Sequence, residues 1–324
     1  MGFTTEFGVQ TIIGKQAGFG TLAAGEGRIV PLVKGARGPT HERAAIANDA
    51  RYQDGMARKP GLGNPISGSE MQVVPNLDIL GWHLIGFLGG FTDGATVAGL
   101  TPHTGTMGKT VIYHTIEENY ENNAAVFYQY MDQVYAEYDF EFSDQGIYKP
   151  SFKTVGSGAL LTPGTSFDAT PTEVAGTPAE MLNWSTAING GDEACVSKLT
   201  ANCKREVLAV WVSTSTGMKC IELKVGPLDV TGTMTCLYKN DTMWGRARAG
   251  TEFSLDANIT RLQGSLLYSL AHNFPEITIT RSVSPEKQSG QVVQQSFEFG
   301  SHKTSSANAP LTVVLTNGTA THNS

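Results

Sequence analysis

Hydrophobic and polar residues alternate along many short stretches of the chain, and residues 134–142 show the pattern most clearly. Every second residue from 134 to 142 is apolar, whereas the intervening positions include Glu137, Asp139 and Glu141. Successive side chains of a β-strand point to opposite faces, so this pattern predicts a half-buried antiparallel strand with an acidic outer face. Similar alternation predicts further strands at residues 110–116, 207–212, 220–225, 230–238, 276–281, 292–299 and 311–316.

Helical spacing of apolar residues is confined to two short stretches. Residues 77–88 repeat leucines at three- and four-residue steps, with Asn76 as an N-cap and Gly89 as a stop signal. Residues 262–272 show a similar leucine spacing, interrupted by Gly264. The sequence therefore predicts a mainly β protein with one or two short helices.

Two segments contain little periodic patterning. Residues 1–70 are rich in glycine and basic side chains, and residues 156–203 resemble a long surface loop or insertion. We therefore expect an extended N-terminal region at 1–70, a β core from 71–155 and 204–300, an insertion at 156–203, and a C-terminal segment at 301–324.

The charge balance disfavours a protein that grips nucleic acid. The chain has 23 basic and 30 acidic residues, a net charge of -7, which is the wrong sign for neutralising a phosphate backbone. The first ten residues, MGFTTEFGVQ, lack the basic and apolar regions of a signal peptide. The most apolar stretch is interrupted by polar residues and glycines, so we expect neither a signal peptide nor a membrane anchor.

No pattern in the sequence predicts catalytic, cofactor-binding or metal-binding residues. Residues 105–110 end like a phosphate-binding loop, but His103 stands where that loop needs glycine, and a strand is predicted to follow. The seven histidines are scattered singly, which favours histidines at the surface, or satisfied by one partner, over metal ligands. We expect no cofactor.

The four cysteines lie together in the second half of the chain. Cys195, Cys203, Cys220 and Cys236 include no C-x-x-C pair, so a zinc site is not predicted. The spacing of Cys195 and Cys203 leaves open a disulfide bond or reduced thiols throughout. Cys236 falls in an alternating stretch and is predicted to be a buried thiol.

The order of these landmarks resembles the bacteriophage major tail tube proteins of long-tailed phages. The resemblance rests on the opening Thr5-Glu6-Phe7-Gly8, the Arg- and Gly-rich residues 43–68, the apolar residues 77–90, the strand end at 114–117, the strand at 130–143, the strand, turn and short helix across 230–250, and the strands at 275–279 and 292–300. The likeness is one of layout along most of the chain.

The resemblance implies a structural virion protein and not an enzyme. Its expected fold is an antiparallel β-sandwich or partial barrel with one or two short flanking helices and long loops. Its subunits would form hexameric rings that stack into the hollow tail tube through which phage DNA is delivered into the host cell. The implied partners are further copies of the chain and the tape measure, terminator and tail tip or baseplate proteins; the implied location is the virion tail, after synthesis in the host cytoplasm.

This resemblance assigns roles to two sets of residues. Glu137, Asp139 and Glu141 are the candidate lumen-facing acids, since an acidic wall repels phosphates and passes DNA without specific binding. The basic residues of the N-terminal region are candidates for an arm that reaches a neighbouring subunit; they are Arg37, Arg43, Arg51 and Arg58.

Other functions share the composition. A carbohydrate-binding or adhesin-like β-sandwich would remain monomeric and bind glycans, and a capsid shell or decoration protein would form closed shells or bind capsids. A β-rich hydrolase with paired carboxylates is a third alternative. The sequence leaves these alternatives open.

Overall fold

The protein is mainly β. A computed structural model describes residues 9–33, 37–46, 61–120, 126–192, 196–215, 217–238, 242–283, 293–302 and 309–322. All strand pairs in this part of the chain are antiparallel.

The helices and strands follow one another in a simple order. The strands are β1 (Val9–Lys15), β2 (Arg28–Ile29), β3 (Arg37–Ile46), β4 (Gly61–Gln72), β5 (Thr92–Asp93), β6 (Thr101–Thr106), β7 (His114–Tyr120), β8 (Val126–Phe142), β9 (Ser151–Gly156), β10 (Leu160–Leu161), β11 (Trp184–Ile188), β12 (Gly191–Asp192), β13 (Val196–Thr214), β14 (Gly217–Leu237), β15 (Phe253–Gln263), β16 (Leu266–Ser282), β17 (Gln294–Ser301) and β18 (Thr312–Asn317). The helices are α1 (Leu77–Leu88) and α2 (Thr242–Ala249), and a 3-10 turn spans Met181–Asn183.

Two long strands connect the branches of one large sheet. The second half of β8 pairs with β9 and β13, whereas its first half pairs with β7 and β10. β16 pairs with β15 on one edge and with β18 and then β17 on the other. The described strands thus form a single connected sheet, which contradicts the two separate sheets of a sandwich but not the partial barrel that was the other expected arrangement.

The predicted strands are confirmed. The stretch 134–142 lies inside β8, and the other seven stretches lie wholly or partly within observed strands. The predictions at 220–225 and 230–238 fall on one long strand, β14. The alternation was therefore a sound guide to strand position.

The α1 helix is confirmed at both ends. Asn76 Oδ1 accepts hydrogen bonds from the backbone N–H groups of Asp78 and Ile79, and Gly89 ends the helix with φ 86°. All twelve helical residues are buried, and α1 contacts β6, β8, β16 and β18. The helix is thus enclosed by the sheet, which corrects the expected flanking position.

The second predicted helix, over 262–272, is wrong. This stretch forms the end of β15, a turn, and the start of β16. Gly264 has φ 62°, the left-handed conformation that a tight turn requires. Leu262 ends β15 and pairs with Leu267, whereas Leu266 and Leu270 share the other face along β16, so the leucine spacing spans a turn between two strands.

Strands also occur in the segments expected to be irregular. Residues 1–70 contain β1, which pairs with β7 along its whole length and buries Ile12 completely. Residues 156–203 contain β10, β11, β12 and the start of β13. Neither segment is structureless within the part of the chain that the structure describes.

Candidate functional site

The three candidate acids lie on one face of β8. Tyr138, Phe140 and Phe142 point to the other face and are buried, as the alternation predicted. On the neighbouring strand β13, three residues lie in register with these acids. Lys204 is opposite Glu137, Asn202 is opposite Asp139, and Thr200 is opposite Glu141.

Lysines on neighbouring strands compensate two of these acids. Glu137 Oε2 is 3.2 Å from Lys153 Nζ on β9, and its Oε1 is 3.2 Å from Lys204 Nζ on β13. Glu141 Oε2 is 3.1 Å from Lys198 Nζ. Glu137 and Glu141 are therefore held in cross-strand ion pairs, in which lysines compensate their negative charge.

The pKa values of the acids reflect these different partners. Burial opposes ionisation of Glu137, but hydrogen bonds from Lys204 and Lys153 outweigh it and lower the pKa of this carboxyl. Within the described ranges no lysine forms an ion pair with Asp139, and burial raises the pKa of this carboxyl despite a hydrogen bond from Asn202 Nδ2. Of these two carboxyls, Glu137 is therefore the more firmly ionised.

The same surface continues across β14 and β17. We define the polar face as Glu137, Asp139, Glu141, Lys153, Lys198, Thr200, Asn202, Lys204, Thr231, Thr233, Thr235, Ser296 and Glu298. Four acidic and three basic residues give this face a net charge of -1. A shallow groove of about 610 Å³ runs over part of it, so the face is an open surface and not an enclosed catalytic pocket.

Aromatic residues support the polar face from beneath. Tyr138 Oη is 2.6 Å from Tyr148 Oη and 2.6 Å from His272 Nε2. His272 also stacks on Phe140, with ring centroids 4.1 Å apart. These contacts join β8, the following loop and β16 into one rigid layer.

A buried arginine, which no sequence pattern indicated, joins the sheet to α1. Arg205 Nε donates to the Tyr135 carbonyl at 2.7 Å, and Nη2 donates to the Gly86 carbonyl at 3.1 Å. Burial lowers the pKa of Arg205 to about 10, so the guanidinium stays charged at neutral pH. No local pattern marks this role, because both partners are distant in sequence.

The histidines are more buried than the sequence suggested. His83, His103, His114, His272 and His322 are buried, whereas His41 and His302 are not. Burial lowers the pKa of His83 and His272 to about 3 and of His114 and His322 to about 4. Most of them therefore lie away from the surface, but three fit the other expected alternative, a histidine satisfied by one partner. These are His83 with the Tyr135 hydroxyl, His272 with the Tyr138 hydroxyl and His322 with the Asn317 side chain.

The candidate arm residues are placed only in part. Arg43 lies exposed on β3, which forms a hairpin with β4. Arg37 is in register with Glu70, but its side chain lies outside the described residues, as do Arg51 and Arg58 entirely.

The cysteines show no disulfide bond at Cys203. Cys203, Cys220 and Cys236 are buried thiols, which confirms the prediction for Cys236, and Cys195 lies outside the described residues. Across the described ranges, no three His, Cys, Asp or Glu side chains are grouped to hold a metal ion. No helix in those ranges is long and apolar enough to cross a membrane.

Comparison with known proteins identifies the family. A search of curated proteins found no match to the chain. The sequence profile described as phage tail tube protein, however, matches residues 8–301, from the start of β1 to the end of β17. Because this match covers nearly the whole chain and agrees with the order of its sequence landmarks, the chain belongs to the phage tail tube protein family.

Proposed function

We propose that this chain is the major tail tube subunit, which forms hexameric rings that stack into the hollow tube through which phage DNA passes into the host cell. The observation that carries the proposal is the family match over residues 8–301. Family membership makes the chain a structural component of the phage tail. The hexameric ring, the stacked tube and the passage of DNA are what we propose beyond it. No catalytic step is part of this function.

The polar face is our candidate for the wall of the channel. DNA must slide along such a wall, whereas free lysines would bind phosphates by releasing counterions. Here Lys153 and Lys204 are paired with Glu137, and Lys198 with Glu141. Glu137 and Glu141 therefore act less as a repelling charge than as partners that keep the lysines from holding DNA.

The β3–β4 hairpin is our candidate for the arm that reaches a neighbouring subunit; we call it the arm hairpin. Residues 37–66 contain five basic residues, including Arg37, Arg43, Arg51 and Arg58, against three acidic residues. A net charge of +2 in a chain of net charge -7 favours contact with the more acidic surface of another copy. The tape measure, terminator and tail tip or baseplate proteins would contact the tube in the virion tail, after assembly from subunits made in the host cytoplasm.

Sedimentation velocity of the purified chain over a wide concentration range tests this proposal. We expect the 34.6 kDa subunit to give way to a species of about six times that mass and then to larger polymers. A single 34.6 kDa species at every concentration would contradict the proposal.

A further inference from the structure

The residues that follow β18 are fastened to the first turns of α1. Asn317, the last residue of β18, donates a 2.9 Å hydrogen bond from Nδ2 to the carbonyl oxygen of Leu77. Thr319 Oγ1 donates to Asp78 Oδ1 at 3.3 Å. We call residues 317–322 the clasp. The clasp lies beyond residues 8–301, which match the family profile.

His322 holds the clasp against α1 by filling the space above a glycine. This histidine is fully buried, and a Cβ at Gly81 would stand 2.3 Å from its ring. The ring meets Trp82 edge-on, with centroids 6.0 Å apart, and lies equally close to Phe91. The clasp is therefore closed only while the imidazole of His322 occupies this space.

The hydrogen bonds of His322 require an unprotonated ring nitrogen. The amide of Asn317 has a fixed orientation, because its Oδ1 accepts from the Thr319 N–H at 3.1 Å and its Nδ2 donates to Leu77. The same Nδ2 lies 3.1 Å from His322 Nε2, which must therefore be the acceptor. His322 Nδ1 is buried and has no hydrogen-bond partner among the described residues. A proton added to Nε2 would face a donor instead of an acceptor.

The neighbouring His103 requires the opposite state, with both ring nitrogens protonated. Its Nδ1 is 2.6 Å from Asp93 Oδ1, and its Nε2 is 2.9 Å from the Thr319 carbonyl oxygen and 3.1 Å from Asn317 Oδ1. All three partners are acceptors, so both nitrogens donate and the ring carries a positive charge. The rings of His103 and His322 are 4.7 Å apart. Protonation of His322 would thus place two cations side by side.

Charged and titratable groups face the clasp from five elements. They are Arg28 on β2, Asp78 on α1, Asp93 on β5, His103 on β6 and Tyr268 on β16. Burial, together with the charges of His103 and Arg28, outweighs the effect of Asp93 and lowers the pKa of His322 to about 4. The surroundings of His322 therefore favour its neutral form.

We propose that the clasp is a pH-operated strap, closed over α1 at neutral pH and released when His322 takes up a proton. Release breaks the hydrogen bond between Asn317 and His322 and withdraws the ring from Gly81. The strand β18 keeps its pairs with β6 and β16. This device belongs to the single subunit and does not depend on the proposed tube.

Hydrogen exchange of the unmutated protein, followed by mass spectrometry, tests the proposal. A released His322 has an ordinary pKa of about 6.5, so the open form binds the proton more readily than the closed form, whose pKa is about 4. The clasp should be closed above pH 6.5, and the ratio of open to closed clasp should rise about 20- to 100-fold between pH 7.5 and 4.5.

Two peptides of the same protein make this measurement specific. After correction for the pH dependence of intrinsic exchange, residues 317–322 should lose protection at pH 4.5, whereas residues 134–142 of β8 should keep it. Unchanged protection of 317–322 would overturn the proposal. An equal loss in both peptides would mean global unfolding and would overturn it as well.

His322→Gln separates His322 from the other titratable groups. Glutamine offers Asn317 an acceptor but cannot take up a proton, so protection of residues 317–322 should be the same at pH 7.5 and 4.5. A loss at pH 4.5 as large as in the wild type would place the trigger on another group, such as Asp78, and would overturn the role of His322.

Gly81→Ala should release the clasp without acid. The added methyl group would displace the His322 ring, so residues 317–322 should exchange at pH 7.5 as they do in the wild type at pH 4.5. Gly245→Ala is the matched control in α2, because a Cβ there meets no atom within 4 Å, and it should exchange like the wild type. A clasp that stays protected in Gly81→Ala at pH 7.5 would contradict the seating of His322 on Gly81. The wild-type comparison does not depend on the folding of any variant.

Discussion

Arg205 Nη2 donates a 3.1 Å hydrogen bond to the carbonyl oxygen of Gly86, in the last turn of α1. The last carbonyls of a helix lack partners within the helix and carry its negative dipole end. No basic residue lies in the last turn of α1 itself. A cation from β13 therefore caps the enclosed helix and fixes it to the strand that carries the polar face.

Replacing this arginine should destabilise the whole fold. In Arg205→Met the carbonyls of Tyr135 and Gly86 lose their donor in a buried environment. Each unsatisfied buried group costs about 1–3 kcal/mol, so we expect a loss of about 2–5 kcal/mol in the free energy of unfolding. Urea denaturation measures it.

The neighbouring Lys204→Met is the control for that experiment. Lys204 is exposed and pairs with Glu137 at the surface, so its removal should cost at most about 1 kcal/mol. Equal denaturation midpoints for the two variants would show that Arg205 does not anchor α1.

Stability should fall as the solution becomes acidic. Burial lowers the pKa of His272 to about 3, against about 6.5 when unfolded, so the unfolded chain binds the proton more readily. The resulting stability is fully present above about pH 6.5 and is lost progressively as the pH falls towards 3. Thermal unfolding midpoints recorded from pH 7.5 to 4 should fall accordingly.

His272→Phe should reduce this pH dependence. The phenyl ring can retain the stacking against Phe140 but cannot take up a proton, so the unfolding midpoint should change less between pH 7.5 and 4 than in the wild type. An unchanged slope in His272→Phe would contradict the assignment.

Substitution by alanine should change the free energy of unfolding very differently at two glycines of the sheet that carries the polar face. A Cβ at Gly232 would stand 2.4 Å from both the Phe299 ring and the Thr200 carbonyl oxygen, whereas a Cβ at Gly300 would meet no atom closer than 3.9 Å. Gly232→Ala should therefore destabilise by about 1–3 kcal/mol. Gly300→Ala should be neutral or slightly stabilising, and the reverse order of denaturation midpoints would contradict the packing.

Removing the acids of the polar face should create a DNA-binding surface. The triple variant E137Q/D139N/E141Q changes the net charge of the polar face from -1 to +2 and frees Lys153, Lys198 and Lys204. Fluorescence anisotropy with a short DNA duplex should then detect binding that weakens as salt increases.

The control for this variant removes three negative charges elsewhere. E26Q/D144N/E173Q alters exposed acids outside the polar face and should bind DNA as weakly as the wild type. Equal DNA affinity in the two triple variants would mean that total charge, not the ion pairs of the polar face, keeps the protein from holding DNA.

The features that the sequence predicted well depend on local signals. The α1 helix was placed correctly because Asn76 and Gly89 lie beside it in sequence and cap it directly. The acidic face of β8 followed from alternation alone, because side chains of a strand must alternate. The prediction of a helix at 262–272 failed because the leucine spacing runs across a turn at Gly264, so that Leu262 and Leu266 belong to two paired strands.

The features that were missed depend on partners far along the chain. Arg205 meets Gly86, 119 residues away, and His272 meets Tyr138, 134 residues away. Sequence spacing cannot show that a histidine or an arginine becomes enclosed by such distant residues. The ion pairs of Glu137 and Glu141 could not be predicted for the same reason, because their lysine partners come from β9 and β13.

Negative-stain electron microscopy of the concentrated, purified chain is the decisive measurement for the proposed tube, since it shows both the assembly and its channel. We expect rings or hollow tubes of uniform width. Single particles of one subunit at every concentration, or solid filaments without a channel, would contradict it.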